Sequence, residues 1–423
     1  MESTPETPPE SPAETTSHHT CSIWQLILSL VGVFLFWSAS LIVTLVGLPQ
    51  ILNRTAPPMD TLSLFLMAAG FLFCGALLLP SAGYALMHLQ GRPRTERISL
   101  PNWLRPTILI LVLPLILLIG YVISGDESLA WLLLPILHIL AIGLPVLWIV
   151  YIALHGLPSA SPQRDWGVFA SGLTLGPILI FIVEIMALAA IFVLWILWIS
   201  FRPDLVQELY ILAERLQEST FLPEDVLNIL GPYLAKPLVI FGMFAFGAVI
   251  VPLIEEAIKP IGVWLLVDSP VSPVLGFTAG ALSGAGYALV ESLALSSSGG
   301  EDWLLVVVAR AGTAGIHILS AALMGWALAI AWQGGQYLRL GITYLLAVAI
   351  HGLWNGLTLM TVVGNLASIT PAGVDFGMVS QLSTLAPYGL MILSLVSFLV
   401  LFLINKKLQT DQENQPDLQS VVV

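Results

Sequence analysis

The segment VPLIEEAIKP, residues 251–260, is the most informative stretch of the chain because it places three ionisable side chains inside an apolar run. Glu255, Glu256 and Lys259 lie in a stretch that is long enough to cross a bilayer. An ionisable side chain at membrane depth costs roughly 2.5–3.5 kcal/mol on insertion scales, so such residues usually face a protein interior or a water-filled cavity. Three of them within little more than one helical turn form either a buried ion-pair network that fixes helix packing or part of a functional site.

The composition of the whole chain is typical of a membrane protein with many spans. The chain has 423 residues, of which 57% are hydrophobic and 9% are charged, and its mean hydropathy is +0.93. Soluble proteins contain about 25% charged residues. We therefore predict an all-α, polytopic helical membrane protein. The net charge of −12 argues against nucleic acid as a partner, since nucleic acid requires a basic face, and leaves the lipid bilayer as the expected surroundings.

Ten apolar runs approach or exceed the length of about 20 residues that crosses a bilayer. A long polar loop separates the fifth run from the sixth, and the intramembrane charges concentrate after this loop. The runs lie at 22–48, 61–88, 105–124, 129–154, 168–200, 237–267, 272–296, 302–332, 337–363 and 383–405.

These runs divide the chain into six parts. We predict a disordered acidic tail (1–20), a five-helix membrane region (21–200), an extramembrane loop (201–236), a four-helix catalytic core (237–363), a loop with the last span (364–405) and a cytoplasmic tail (406–423). With the N-terminus inside, the inner loops carry more Lys and Arg than the outer loops. This difference favours a multi-pass protein of the cell membrane with both termini in the cytoplasm.

The loop 201–236 contains an amphipathic pattern. Leu205, Leu209, Leu212 and Leu216 recur at i, i+4, i+7 and i+11, which predicts a helix with one apolar face. A second short helix is expected to begin at Pro223, since proline suits the first helical turn. We expect the pair on the outer membrane face, either as a connecting arm or as a substrate guide or lid.

Two ionisable residues stand out among the first five runs. His138 is a lone histidine among leucines, for which a packing or hydrogen-bonding role is expected. Glu184 is a single acid in an apolar run. It could pair with a neighbouring helix or face a cavity.

The seventh run carries a stripe of small residues that ends at an acid. Gly276, Gly280, Gly284 and Ala288 recur every four residues, a pattern that lets two helix backbones approach closely. Glu291 lies seven residues after Gly284 and therefore on the same face. We expect Glu291 to point towards a neighbouring helix.

The eighth and ninth runs each contain a histidine. Arg310 and His317 share one face of the eighth run by helical spacing. In the ninth, Asn355 lies one turn after His351, and we expect this amide to fix the tautomer and orientation of the imidazole. One buried histidine alone is usually a packed core residue. Two on adjacent helices, beside three buried acids, favour a site.

Carboxylates with imidazoles suit two hydrolytic designs. In one, histidines and a glutamate bind zinc while another glutamate acts as base. In the other, no metal is bound: a glutamate activates water, and His and Asn stabilise the oxyanion. Neither the zinc-peptidase signature H-E-x-x-H nor the nucleophile elbow G-x-S-x-G occurs.

Four motifs in order along successive helices resemble the PrsW family, polytopic intramembrane peptidases related to the type II CAAX prenyl endopeptidases. They are Glu-Glu-x-x-Lys at 255–259, G-x-G-Y-A-x-x-E at 284–291, His317 followed by Gly325, and His351-x-x-x-Asn355. The resemblance covers about 250–360.

The resemblance implies an intramembrane endopeptidase that cleaves membrane-anchored regulatory proteins near or within the bilayer. The cofactor is left open: if a metal is bound, Zn²⁺ is the candidate, with Glu291, His317 and His351 as expected ligands. Lys259 and Asn355 would support the site. The implied active-site residues are Glu255, Glu256, Glu291, His317 and His351.

The same residues are compatible with two other functions. Buried acids and histidines also form the relay chains of proton- or metal-coupled transporters, although no inverted repeat is seen in the sequence. A catalytically inactive membrane scaffold is the third hypothesis.

Overall fold

In the computed structural model, the described residues are 12–53, 58–92, 105–220, 222–295, 300–370 and 374–414. All regular elements within these ranges are helical, and ten helical segments are long and apolar enough to cross a membrane. The predicted all-α polytopic fold is therefore confirmed.

The ten spans lie close to the predicted apolar runs. The first span is formed by Pro12–Asn53, and the second by Pro58–Leu77 with Leu79–Leu89. The third is formed by Pro106–Leu109 and Leu113–Ser124 around the 3₁₀ turn Ile110–Val112. The fourth is Glu127–Leu154 and the fifth is Pro162–Ser200. The sixth span is formed by Pro237–Ala245, Phe246–Ile250, Val251–Ile258 and Ile261–Trp264, and the seventh by Pro273–Val290 with Glu291–Leu295. The eighth is formed by Gly300–Asp302 with Trp303–Gly334, and the ninth by Tyr337–Ile369. The tenth is formed by Met378–Leu382, Ser383–Leu385 and Ala386–Glu413.

Several helices are longer than the apolar runs that predicted them. The first helix begins at Pro12, so residues 12–20, expected in the disordered tail, are helical; the rest of the expected tail lies outside the described residues. The last helix continues to Glu413, into the expected cytoplasmic tail. Polar residues can extend a helix beyond the bilayer because only the apolar core is limited to about 30 Å. The six-part division of the chain stays a prediction.

The loop between the fifth and sixth spans contains the two expected helices. They are Pro203–Glu218 and Pro223–Leu234, and the second begins at the predicted proline. The four leucines of the predicted apolar face are all partly buried, while most of their neighbours are exposed. Lys236 pairs with Glu208 and ties the end of the loop to its first helix. The choice between a connecting arm and a substrate guide stays open.

The seventh span lies at the centre of the bundle, between the fifth and the eighth. The predicted glycine stripe faces the eighth span: a Cβ atom at Gly284 would lie 2.7 Å from the His317 carbonyl oxygen. On the opposite side, Gly286 packs against the backbone of Phe169 and Gly172 in the fifth span. Glycine at these positions lets the backbones touch, which brings the fifth and eighth spans close to the acids.

Two π-helical turns interrupt the spans that carry the acids. One, Phe246–Ile250, ends five residues before Glu255, and the other, Glu291–Leu295, begins at Glu291. A π-helical turn contains one more residue than an α-helical turn and leaves backbone groups without their usual partners. Such turns are frequent at functional sites, and both lie next to candidate residues.

Candidate active site

Lys259 lies at the centre of the predicted cluster. Its Nζ atom is 2.9 Å from Oε2 of Glu255 and 2.7 Å from Oε1 of Glu256. The same atom is 2.7 Å from Nδ1 of His317 and 3.2 Å from Nδ1 of His351. Lys259 and Glu256 are fully buried, and the other three side chains are nearly so. One ammonium group thus joins two carboxylates and two imidazoles from the sixth, eighth and ninth spans.

The sixth span breaks directly after Lys259. Pro260 has no backbone N–H and cannot continue the helical hydrogen bonds. Ser283 of the seventh span bridges the break: its hydroxyl donates to the Lys259 carbonyl oxygen at 2.6 Å and accepts from the Gly262 N–H at 3.2 Å. This satisfies both backbone groups in a buried setting and fixes the position of the lysine.

Asn355 has a different role from the one expected. Its Nδ2 atom donates to the carbonyl oxygen of Gly247 at 2.9 Å, within the first π-helical turn. No hydrogen bond joins it to His351 among the described residues. Tyr344, also on the ninth span, donates to the Leu253 carbonyl oxygen at 2.6 Å. The ninth span therefore holds the irregular part of the sixth span, and the expectation that Asn355 fixes the imidazole of His351 is wrong in this structure.

The orientation of His351 is fixed by Glu256 instead. Nδ1 of His351 lies 2.8 Å from Oε1 of Glu256, and a carboxylate oxygen can only accept. We assign the ring proton to Nδ1, which leaves Nε2 as an acceptor and makes the 3.2 Å approach of the Lys259 ammonium to Nδ1 a contact, not a hydrogen bond. Nε2 lies 3.9 Å from Oε2 of Glu255, too far for a hydrogen bond but close enough for one water or ion to contact both atoms.

His317 links the cluster to a second ion pair. Its Nε2 lies 2.6 Å from Oε2 of Glu291, and Oε1 of Glu291 lies 2.9 Å from Nη2 of Arg310. Arg310 also donates from Nε to the Ser292 hydroxyl at 3.2 Å. Glu291 and Arg310 are 24% and 15% exposed, whereas Lys259 and Glu256 are 0% exposed. The cluster is therefore most open on the side of Glu291 and Arg310.

Aromatic rings line the cluster. The rings of His317 and His351 meet edge to face, with centroids 5.1 Å apart. Tyr287 contacts His317 in the same way at 5.3 Å, and the Nζ atom of Lys259 lies 5.0 Å from the Tyr287 ring centroid. A cation over an aromatic face is favourable, so Tyr287 adds to the stabilisation of the buried ammonium.

Among the described residues, one group could hold a metal ion: a carboxylate oxygen of Glu255 and one nitrogen each of His317 and His351 lie within 4.8 Å of one another. Carboxylate oxygens and imidazole nitrogens are zinc ligands, and Oε2 of Glu255 has the ammonium of Lys259 as its close partner at 2.9 Å. The donor set fits zinc. The ammonium of Lys259 lies among the same atoms, so an ion can enter only if this group moves aside.

Of the three metal ligands expected from the sequence, His317 and His351 belong to this group, and Glu291 does not. The carboxylate of Glu291 is engaged by Arg310 and His317. A ligand role for Glu291 stays a prediction.

The structure also adds contacts from residues that were not among the predicted site residues. Arg310 and Tyr287 contact the predicted residues directly, and Ser283 fixes the break after Lys259. Helical spacing placed Arg310 on the His317 face, which was the available signal for its role. No signal pointed to Ser283, because its partners are backbone atoms of another span. His138 is fully buried and lies beside the backbone of Leu293, and its packing or hydrogen-bonding role stays a prediction.

Fold and site together define a polytopic helical membrane protein with a buried carboxylate–imidazole centre. Residues 221–386 match the model of the PrsW family intramembrane metalloprotease, which confirms the resemblance inferred from the motifs. The matched residues contain the whole cluster and leave out the first five spans. Neither the curated proteins nor the solved structures gave a match.

Proposed function

We propose that this protein is an intramembrane endopeptidase that hydrolyses a peptide bond of a membrane-anchored protein. The observation that carries the proposal is the convergence of two carboxylates and two imidazoles on Lys259, between the spans of a helical membrane protein. The match to an intramembrane metalloprotease family over these spans supports the same reaction class. We infer a multi-pass protein of the cell membrane with both termini in the cytoplasm, as the basic residues of the loops suggest.

The two adjacent glutamates have different roles in this proposal. Glu256 accepts a hydrogen bond from Nδ1–H of His351 and forms an ion pair with the ammonium of Lys259. Its carboxylate therefore serves to orient these two neighbours. Glu255 faces the acceptor nitrogen of His351 across 3.9 Å. In the metal-free form of the proposal, Glu255 is therefore the base that takes a proton from the attacking water and returns it to the leaving amine.

The remaining groups stabilise charge around that water. The ammonium of Lys259 donates towards the centre of the cluster and can face the oxyanion that develops on the scissile carbonyl. Asn355 would reach an oxyanion only by releasing the Gly247 carbonyl. If zinc is bound by Glu255, His317 and His351, it supplies an acidified water and a polarised carbonyl, and Glu256 then orients a ligand imidazole, as outer partners of metal sites commonly do.

Substrate enters from the more open side. Glu291 and Arg310 are partly exposed at membrane depth, where an acid–base pair is tolerated beside water or a polar backbone and disfavoured against lipid. A substrate segment that has lost its helical hydrogen bonds presents such a backbone. We infer that it reaches Glu255 past Glu291 and Arg310.

Cleavage of a single-span protein in proteoliposomes tests the proposal. The wild type should release a shortened product, and Glu255→Gln, Glu256→Gln, His317→Gln and His351→Gln should each lose activity while eluting as folded protein. Glu214→Gln, on the exposed face of the loop, is the matched control and should cleave normally. Full activity in all four site variants would refute the proposal. Substrate-driven proton or metal flux without cleavage would favour a transporter.

A further inference from the structure

The fifth span turns one acid towards the bundle. Leu173, Ile180 and Glu184 lie at i, i+7 and i+11, so they share one helical face. Leu173 is 0% exposed and Ile180 is 3% exposed. From residue 181 to residue 190, Glu184 and Ala187 are partly buried, while all the other residues are exposed. The face that packs on the seventh span near the cluster thus continues to Glu184.

The carboxylate of Glu184 lies near the cluster, and one of its oxygens, the buried Oε1 atom, has no hydrogen-bond partner among the described residues. Glu184 is within electrostatic range of Glu255, Glu291 and Lys259. At the level of Gly176, two turns earlier, the same span lies against Tyr287 and Ile261, which flank the cluster. Glu184 is thus a fourth acid near the site, contributed by a span outside the matched residues 221–386.

The fixed charges near the site do not balance. Four carboxylates are present, from Glu184, Glu255, Glu256 and Glu291, and the fixed cations among these neighbours are Lys259 and Arg310. With neutral imidazoles and with all four carboxylates ionised, two negative charges are in excess. Uncompensated charge at membrane depth is strongly unfavourable, and one divalent cation removes this excess.

We propose that Glu184 completes this site as its fourth carboxylate and raises its affinity for a divalent cation held by Glu255, His317 and His351. Glu184 lies outside the group of ligand atoms, so it acts through charge and through the water around the ion. The inference rests on the metal-dependent form of the proposed function.

Zinc affinity of the purified full chain in detergent, measured by competition with a chromophoric chelator, tests the proposal. Glu184→Gln keeps the shape of the side chain and removes its charge, and it should weaken zinc binding about 10–100-fold, the usual effect of removing a partner beyond the ligands. Glu184→Asp keeps the charge and should stay within a few-fold of the wild type. Glu214→Gln, exposed on the loop, should bind zinc as the wild type does.

Each outcome of the zinc measurement either supports or overturns the proposal. Equal zinc affinity in wild type and Glu184→Gln would overturn the proposal, as would a wild type that binds no zinc. If the amide variant fails to fold, Glu184→Ala removes the same charge without adding a buried amide and gives the same comparison. Cleavage is measured on the same preparations. If zinc binding depends on Glu184 and the protein cleaves no substrate, the peptidase proposal is refuted while the role of Glu184 in zinc binding is supported.

Discussion

The Nζ atom of Lys259 and the Nδ1 atom of His317 lie 2.7 Å apart, which joins the sixth and eighth spans through a buried cation. An ammonium group can only donate, so Nδ1 of His317 must accept. The ring proton is then on Nε2, which points to Glu291 at 2.6 Å. One lysine therefore fixes the tautomer of an imidazole on another helix and, through it, the orientation of an acid on a third.

Replacing Lys259 by methionine should destabilise the fold strongly. The change leaves Glu255 and Glu256 buried without their cation, and breaking a buried ion pair typically costs about 3–5 kcal/mol. The free energy of unfolding in mixed detergent micelles measures the loss. Lys236→Met is the control, because its partner Glu208 and Lys236 itself are 37% and 41% exposed, and an exposed pair contributes about 0–1 kcal/mol. Equal losses in the two variants would contradict the central role of Lys259.

The two glutamates should separate kinetically. Glu255→Gln removes the proposed base, and we expect kcat to fall by about 10²–10⁴-fold, the usual contribution of acid–base catalysis. Glu256→Gln can still accept from His351 through its amide oxygen, so we expect a smaller fall of about 10–100-fold. Single-turnover cleavage rates measure both. A larger loss in Glu256→Gln than in Glu255→Gln would reverse the assignment of the base.

Asn355→Ala should loosen the sixth span. The Gly247 carbonyl would lose its donor inside a π-helical turn, and an unsatisfied buried group costs about 1–3 kcal/mol. Thr358→Val on the same helix is the control, since the Thr358 hydroxyl donates to the Trp354 carbonyl oxygen of its own helix. Unfolding free energies of the two variants give the comparison. A stable Asn355→Ala enzyme with reduced kcat would instead point to a direct role of the amide in the reaction.

Gly284→Ala should separate the seventh and eighth spans. The added Cβ would lie 2.7 Å from both the His317 carbonyl oxygen and the Ala321 Cβ, so the helices must move, at about 1–3 kcal/mol. Because His317 moves with the backbone, cleavage should fall as well. Gly242→Ala meets nothing within 4 Å and should leave stability and cleavage unchanged. Unaltered cleavage in Gly284→Ala would show that the site tolerates displacement of the eighth span.

Arg310→Gln should release Glu291 from its anchor. Among the described residues, the carboxylate then keeps His317 as its close partner, and we expect kcat/KM to fall about 10–100-fold, as for other outer partners of a site. Arg310→Lys keeps the charge without the planar, multi-donor geometry and should recover part of the activity. Ordinary rates in Arg310→Gln would mean that Glu291 needs no orientation.

The sequence predicted the fold and the membership of the cluster because membrane depth makes polar residues conspicuous. Glu255, Glu256 and Lys259 could be singled out on insertion energy alone, and helical spacing assigned Glu291 to the face of the glycine stripe. Both signals depend only on chain-local spacing. The order of four motifs along the chain supplied the resemblance that the family match confirms.

What the sequence left open depends on contacts between spans. Asn355 and His351 lie one turn apart, which suggested a contact, yet the amide reaches a carbonyl of the sixth span. The amide reaches this carbonyl because Gly247 lies in a π-helical turn, and no residue pattern in 246–250 predicted such a turn. Ser283 was missed for the same reason, since its partners are backbone atoms exposed by the break at Pro260.

The π-helical turn at Phe246–Ile250 also sets the angular phase of everything that follows it in the sixth span. Because this turn holds one residue more than an α-helical turn, removing one residue from it would restore a regular α-helix and leave Glu255, Glu256 and Lys259 close to their present angular position. Removing one residue at 253–254, in the regular helix Val251–Ile258, would instead turn all three side chains by about 100° relative to the preceding part of the span and away from both histidines. The extra residue of the π-helical turn is therefore the one that this span can lose with the acids still facing the imidazoles.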